Sequence, residues 1–189
     1  MSELIDCIEG KGIKEIKRLF FVINSINLCK LPYPGHKNGC PNVGKSQQCP
    51  PNSIRLEKKY NLSAHCYFVY IKFNIEKQEK RMLKLHPKWT KKQARCLLFW
   101  QPSIKKILEE MCQDIILQLG SSGVDQKGNF YTNTGEEKHL CYELIPEAMG
   151  LHVFTTAHNI GIPSKRNYSK QTYIYKIAFI GELNAINID

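Results

Sequence analysis

The chain has 189 residues, 42% hydrophobic and 23% charged, which fits one globular domain and excludes a disordered or fibrous chain. No run of about 18 apolar residues occurs, so no membrane span is expected. The start, Met-Ser-Glu-Leu-Ile-Asp-Cys, lacks the pattern of a secretory signal, which predicts an intracellular, cytoplasmic protein. The net charge is +10, and it is unevenly spread. Residues 1–54 carry seven Lys/Arg against four Asp/Glu, residues 55–106 fourteen against three, and residues 107–189 six against ten. The excess lies in the first 106 residues, chiefly the middle block, and fits either a polyanion such as RNA or DNA or a lysine-rich solvated surface.

Taken in chain order, the apolar positions 13, 16, 19 and 20 predict a helix across residues 12–23, and Phe20 to Ile26 could be a strand. Residues 28–53 are turn-rich. Residues 66–75, β-branched and aromatic, predict a strand, followed by a short polar helix from Glu76 to Leu85. Residues 90–119 hold the longest helical signal, with Thr90 as N-cap and Gln93 as its capping-box partner. Pro102 predicts two helices or a kink there. A polar loop over 120–135 allows a hairpin around Gln126-Lys-Gly128, residues 150–161 predict a short helix closed by Gly161, and residues 171–181 a second strand. The expectation is a single α+β (or α/β) domain over 1–189, with helices packed on a small central sheet. Its parts are a cysteine loop (28–53), a basic strand–helix block (55–119), and a C-terminal cysteine turn and strand (136–181).

The segment Cys29-Lys-Leu-Pro-Tyr-Pro-Gly-His36-Lys-Asn-Gly-Cys40-Pro-Asn-Val-Gly-Lys-Ser-Gln-Gln-Cys49-Pro-Pro places three cysteines and a histidine among five prolines and three glycines. Neither helix nor strand persists through such a sequence, and a loop this long in a compact domain is usually functional or disordered. Thiols in turns can converge on one centre, where a metal supplies order that hydrogen bonding does not. Eight cysteines (7, 29, 40, 49, 66, 96, 112, 141) would mean disulfides in a secreted protein, but ligands or buried thiols in a reducing compartment. Thiolates suit zinc, copper(I) or iron–sulfur clusters. Ten and eight residues separate the three loop cysteines, unlike zinc knuckles, whose paired ligands lie about two to four residues apart. Together with the Cys-Pro pairs at 40 and 49, this spacing favours an iron–sulfur cluster (4Fe–4S), with zinc as the alternative.

A closed site needs a fourth ligand, for which His36, Cys66, Cys96, Cys112, His139 and Cys141 are candidates. Cys66, Cys96 and Cys112 lie in apolar elements and read as small buried hydrophobes, and Cys7 as a terminal thiol without a role. Cys141 precedes a second turn-rich segment, Pro146-Glu-Ala-Met-Gly150.

The pair of segments Gly39-Cys40-Pro-Asn-Val-Gly-Lys45…Cys49-Pro-Pro51 and Cys141…Pro146-Glu-Ala-Met-Gly150-Leu-His-Val153 resembles a prokaryotic domain-of-unknown-function family of predicted metal-binding proteins. That family carries a "CP-YGK-CPP" segment and a later "C…PSMEA-GIDV" segment. About 35 residues carry the resemblance; Val43 stands for the usual aromatic and His152 for the usual acid. The resemblance implies Cys29, Cys40, Cys49 and Cys141 as a four-cysteine metal set, with His36 in reserve, and implies no particular reaction.

Glu147 could orient a ligand, act as a catalytic carboxylate, or cap the helix that follows. His152 and His158 are poorly spaced for a metal pair on one helix face. The stretch from His86 to Gln101 interleaves basic and aromatic residues, so Lys91, Lys92 and Arg95 could contact single-stranded nucleic acid; the alternative is a helix with Trp100 inward and those cations in solvent. No GxGxxG, P-loop, GxSxG or CxxxCxxC motif is present. Two functions follow as expectations. One is an iron–sulfur protein doing redox or cluster-assisted chemistry, on a nucleic acid in one version. The other is a zinc-stabilised nucleic-acid-binding or interaction module without catalysis.

Overall fold

Tyr67–Asn74 (YFVYIKFN) and Tyr173–Glu182 (YIYKIAFIGE) are the two most apolar runs of the chain, and they pair with each other at the centre of an antiparallel sheet. The computed structural model describes residues 2–32, 37–41, 43–45, 47–120, 123–124, 130–131, 139–164 and 171–184. Among these, the elements run α1 (Ser2–Ile5), β1 (Ile8–Glu15), α2 (Ser25–Lys30), α3 (Leu56–Lys59), β2 (Tyr67–Asn74), α4 (Ile75–Leu85), α5 (Lys91–Ala94) and α6 (Gln101–Gly120). They continue with β3 (Gly123–Val124), β4 (Phe130–Tyr131), β5 (Leu140–Glu143), α7 (Val153–Asn159) and β6 (Tyr173–Glu182). Short 3-10 turns occupy Leu97–Phe99 and Pro146–Met149. The main sheet has the order β1-β2-β6-β5, antiparallel throughout, so the fold is α+β.

Both faces of the central strands are covered, which is why they read as near-continuous apolar runs. One face presents Val69, Ile71, Phe73, Ile174, Ala178 and Ile180 to α6. The α6 stripe is Ile104, Leu108, Cys112 and Ile116, spaced at i, i+4, i+8 and i+12, each at 0% exposure. Trp100, just before α6, stacks on Phe73 with centroids 4.8 Å apart. The opposite face packs Phe68, Ile177 and Phe179 against Leu56, Tyr60, Leu151, Val153 and Ala157. Each such Leu or Ile side chain removed from water contributes roughly 1.5–3 kcal/mol, so these layers dominate the stability.

Several expectations change. Residues 8–15 form strand β1 on the sheet margin rather than the start of a helix over 12–23. Gly10 and Gly12 oppose helix formation there, and a Cβ at Gly12 would lie 2.8 Å from the Tyr70 hydroxyl, which would have to shift. Of the strand read over 20–26, only the bridge Phe21↔Leu151 forms. Cys29 belongs to a helix, α2, and not to the loop itself. Pro102 lies in the first turn of α6, where a missing amide costs nothing, so the break falls before it at the Leu97–Phe99 turn. Cys7 is buried at 3% exposure in the core and is no loose terminal thiol.

Other elements form as read. The Thr90/Gln93 capping box is complete, β3 and β4 pair antiparallel, and Gly161 has φ +73° just past α7. Cys66 and Cys112 are buried at 2% and 0% exposure, as small hydrophobes should be, whereas Cys96 is half-buried. Among the described residues no helix is long and apolar enough to cross a membrane.

Candidate metal centre

Local hydrogen bonds, and not apolar packing, shape the cysteine segment. α2 ends at Lys30 with Cys29 in its last turn. The Cys40 amide donates to the Cys29 carbonyl at 2.7 Å, which folds the chain back on the helix end. Gly39 makes that approach possible: it has φ +82°, and a Cβ there would sit 2.3 Å from the Cys29 carbonyl oxygen. Further on, the Gly44 amide donates to the Pro50 carbonyl at 3.0 Å, and the Asn52 and Ser53 amides donate to the Cys49 carbonyl at 2.9 and 3.1 Å. Asn52 Nδ2 also donates to the Gly44 carbonyl at 3.3 Å. Among its described residues the segment is thus tied by its own backbone hydrogen bonds.

Two serines fasten this segment to the Pro146–Met149 turn. Ser53 Oγ donates to the Ala148 carbonyl at 2.7 Å and Ser25 Oγ to the same oxygen at 3.4 Å. Arg55 completes the attachment by donating through Nη1 to the Val22 and Ile23 carbonyls, at 3.1 and 3.2 Å. Its guanidinium also covers Gly150, where a Cβ would meet it at 3.0 Å. The turn that carries Glu147 is thereby held against the cysteine segment.

The electrostatics register this gathering. The Cys29 pKa is raised, first by burial and then by the charges of Cys40, Cys49 and Glu147. The Cys29 thiol thus feels both other thiols of the segment and one carboxylate. All eight cysteines are free thiols. Glu147 also acts on Lys176, the one cation in the apolar strand β6: burial depresses the Lys176 pKa, Glu147 opposes that, and Lys105 adds to it. Lys176 escaped sequence reasoning, although a lysine between Tyr175 and Ile177 was the available signal.

Cys141 stands differently. It sits on β5 opposite Gly181, half-buried, with its Sγ 3.9 Å from the Tyr142 carbonyl. Its electrostatic effect falls on Tyr60, whose pKa is pushed far up by burial and then by Cys141 and Glu143. The Tyr60 hydroxyl donates to Glu143 Oε1 at 3.0 Å, and Lys59 Nζ pairs with the same oxygen at 2.5 Å. Cys141 nevertheless borders an open cleft of about 1080 Å3 that Gln47, Gln48, Asn52 and Ser53 of the cysteine segment also line. His36 lies outside the described residues. His139 is buried at 5% exposure immediately before β5.

As a donor set, three thiols with a carboxylate suit a thiophilic metal. Among the described residues, however, no group of three His, Cys, Asp or Glu side chains has the arrangement that holds a metal ion. Loading would therefore require the thiols to turn toward a common centre.

Glu147 does not cap α7; His152 does, its Nδ1 accepting from the Thr155 amide at 3.2 Å. In the basic block, Lys91 and Lys92 are exposed as expected for a cationic surface. Arg95 is turned inward, ion-paired through Nε with Glu79 and donating through Nη1 to the Gln171 carbonyl at 3.2 Å. Trp100, at 2% exposure, belongs to the core. Compared with family models, curated proteins and solved structures, the chain gives no match.

Proposed function

We propose that this protein binds a metal centre through Cys29, Cys40 and Cys49, and that an iron–sulfur cluster (4Fe–4S) is its first occupant. The observation that supports this is the fastening of the cysteine segment to the Pro146–Met149 turn, where Cys29 feels the charges of Cys40, Cys49 and Glu147. Two groups compete for the fourth place. Cys141 is the one implied by the family resemblance and borders the shared cleft. Glu147 is the one whose charge reaches Cys29. When bound, a cluster would supply one-electron transfer or a Lewis-acidic iron. The chain would contribute the thiolates, the Ala148 carbonyl that anchors their segment, and the adjoining cleft.

Anaerobic purification followed by absorbance near 400 nm and elemental analysis tests the reading. A brown, iron-containing protein that loses its iron in Cys40→Ser supports it, and a colourless anaerobic sample without iron overturns it. Metal retained in Cys141→Ser but lost in Glu147→Gln assigns the fourth place to Glu147; the reverse assigns it to Cys141. A second reading, zinc in the same place, is favoured by the carboxylate, because zinc accepts a hard oxygen beside thiolates. Stoichiometric zinc without iron would select it.

The basic block supports a partner as well as a centre. From Lys80 to Leu108 the chain carries no Asp or Glu, so its positive charge is locally uncompensated. We read this block, within residues 55–106, as a contact surface for RNA or DNA, with Lys91 and Lys92 exposed on it.

A further inference from the structure

Where α4 ends, the chain turns at His86 and meets the Leu97–Phe99 turn, and three aromatic rings are left in a row outside the core. The His86 and Trp89 rings stack with centroids 4.0 Å apart and 13° between planes. Trp89 in turn lies 4.8 Å from Phe99 at 34°. The Trp89 amide donates to the His86 carbonyl at 2.9 Å, and the Thr90/Gln93 capping box fixes the next turn, so the ladder is held by backbone on both sides of Trp89. His86 is exposed and Phe99 is 42% exposed, so the ladder ends in rings that water reaches. Leu98 beside it is 78% exposed and Leu85 55%. The same stretch of chain carries the exposed Lys84, Lys88, Lys91 and Lys92 and not a single acidic residue.

We propose that the His86–Trp89–Phe99 ladder is a stacking platform for the unpaired bases of a single-stranded nucleic acid, with Lys84, Lys88, Lys91 and Lys92 facing its phosphates. This inference rests on the reading of the basic block as a nucleic-acid surface and narrows it to one form of partner. Flat rings that continue a stack accept any base through its π-face, whereas bases in a duplex are already stacked on one another and offer no face. An acidic peptide would satisfy the lysines but would have no use for ring faces. A membrane would place Leu98 and Phe99 in lipid, yet it gives no reason for a row of rings with His86 stacked on Trp89.

The test uses the full chain, a fluorescein-labelled oligothymidylate of about a dozen nucleotides, and its duplex with oligodeoxyadenylate, followed by anisotropy across a salt series. The expected result is binding of the single strand at least about ten-fold tighter than the duplex, with affinity falling steeply as salt rises. Tryptophan emission should be quenched on binding, and Trp89 is its source because Trp100 is sealed in the core at 2% exposure. Trp89→Leu keeps apolar bulk but removes the ring, and should weaken single-strand binding about five-fold or more while leaving the salt slope alone. The double variant Lys91→Glu, Lys92→Glu, both at exposed positions, should weaken it about ten-fold or more and flatten the salt slope.

Equal affinity for duplex and single strand, or unchanged binding by a folded Trp89→Leu, overturns the platform while leaving the nucleic-acid reading intact. Absence of binding to either form at low salt overturns both. Equal binding to polyglutamate or to phosphatidylserine vesicles, with the same loss in the double lysine variant, also overturns the platform in favour of unspecific charge attraction. Should Trp89→Leu fail to fold by circular dichroism, the quenching of the native chain and its strand preference still decide the matter.

Discussion

The sheet with α6 and the cysteine segment are held by different forces. The α6 stripe of Ile104, Leu108, Cys112 and Ile116 seals one face of β2 and β6 with no atom left to water. The cysteine segment buries little, and depends instead on amides aimed at the Cys29, Cys49 and Pro50 carbonyls and on two serines meeting at Ala148. Apolar layers resist change in volume, whereas the segment resists change in backbone angle and hydrogen bonding. The first kind of region sets global stability, and the second sets whether the thiols stay together.

The sharpest way to break this contrast is to damage the core. Leu108→Ala should cost about 2–5 kcal/mol, lower the midpoint of urea unfolding, and leave the reactivity of the loop thiols unchanged in the chains still folded. If thiol reactivity rises in parallel, the two regions are one cooperative unit. Next is Gly39→Ala, which combines an unfavourable φ with a Cβ 2.3 Å from the Cys29 carbonyl oxygen. We expect a loss of about 1–3 kcal/mol, read as faster alkylation of Cys29 and Cys40 with most of the unfolding midpoint retained.

Alkaline pH should sharpen the contrast from the other side. Burial pushes the Cys112 thiol from its ordinary 9.0 up to about 12 and Cys66 up to about 11. Between those values and 9.0 the unfolded chain releases protons that the folded chain keeps. The folded-state advantage is therefore complete below about pH 9 and is lost as pH rises toward 12, at no more than about 1.4 kcal/mol per pH unit for each thiol. Cys112→Val should have a shallower decline of unfolding free energy above pH 9 than the native chain. Equal slopes would mean that Cys112 does not carry this dependence. The smallest effect belongs to Ser53→Ala, which loses the bond to Ala148: about 0.5–1.5 kcal/mol, seen as faster modification of Cys49 by a disulfide reagent and hardly at all in global unfolding.

The same contrast explains what the sequence disclosed. β2, β6 and α6 were legible because burial on a regular element repeats, and Ile104, Leu108, Cys112 and Ile116 advertise their period. β1 was not, because its order comes from pairing with β2, and Ile13, which suggested a helix face, is 41% exposed. The three loop cysteines could be picked out by type and setting. The surroundings of Cys141 and Glu147 could not, since nothing in residues 136–150 tells that the influence of Cys141 falls on Tyr60 while that of Glu147 reaches Cys29. Trp100 could be read as inward-facing, and it is, but nothing in the sequence tells that Trp89 joins His86 and Phe99 in a row outside the core.

Gly39 carries a consequence for how this chain can vary over time. Because a carbonyl oxygen occupies the space where any side chain would begin, no larger residue elsewhere can compensate for its replacement, unlike a core position where neighbours repack. In a library holding every substitution at every position, selected for the fold of the cysteine segment, residue 39 should remain glycine while Lys37 and Asn38 beside it, both exposed, drift freely. A single hydrogen on one α-carbon would then be the most strictly inherited atom of the cysteine segment.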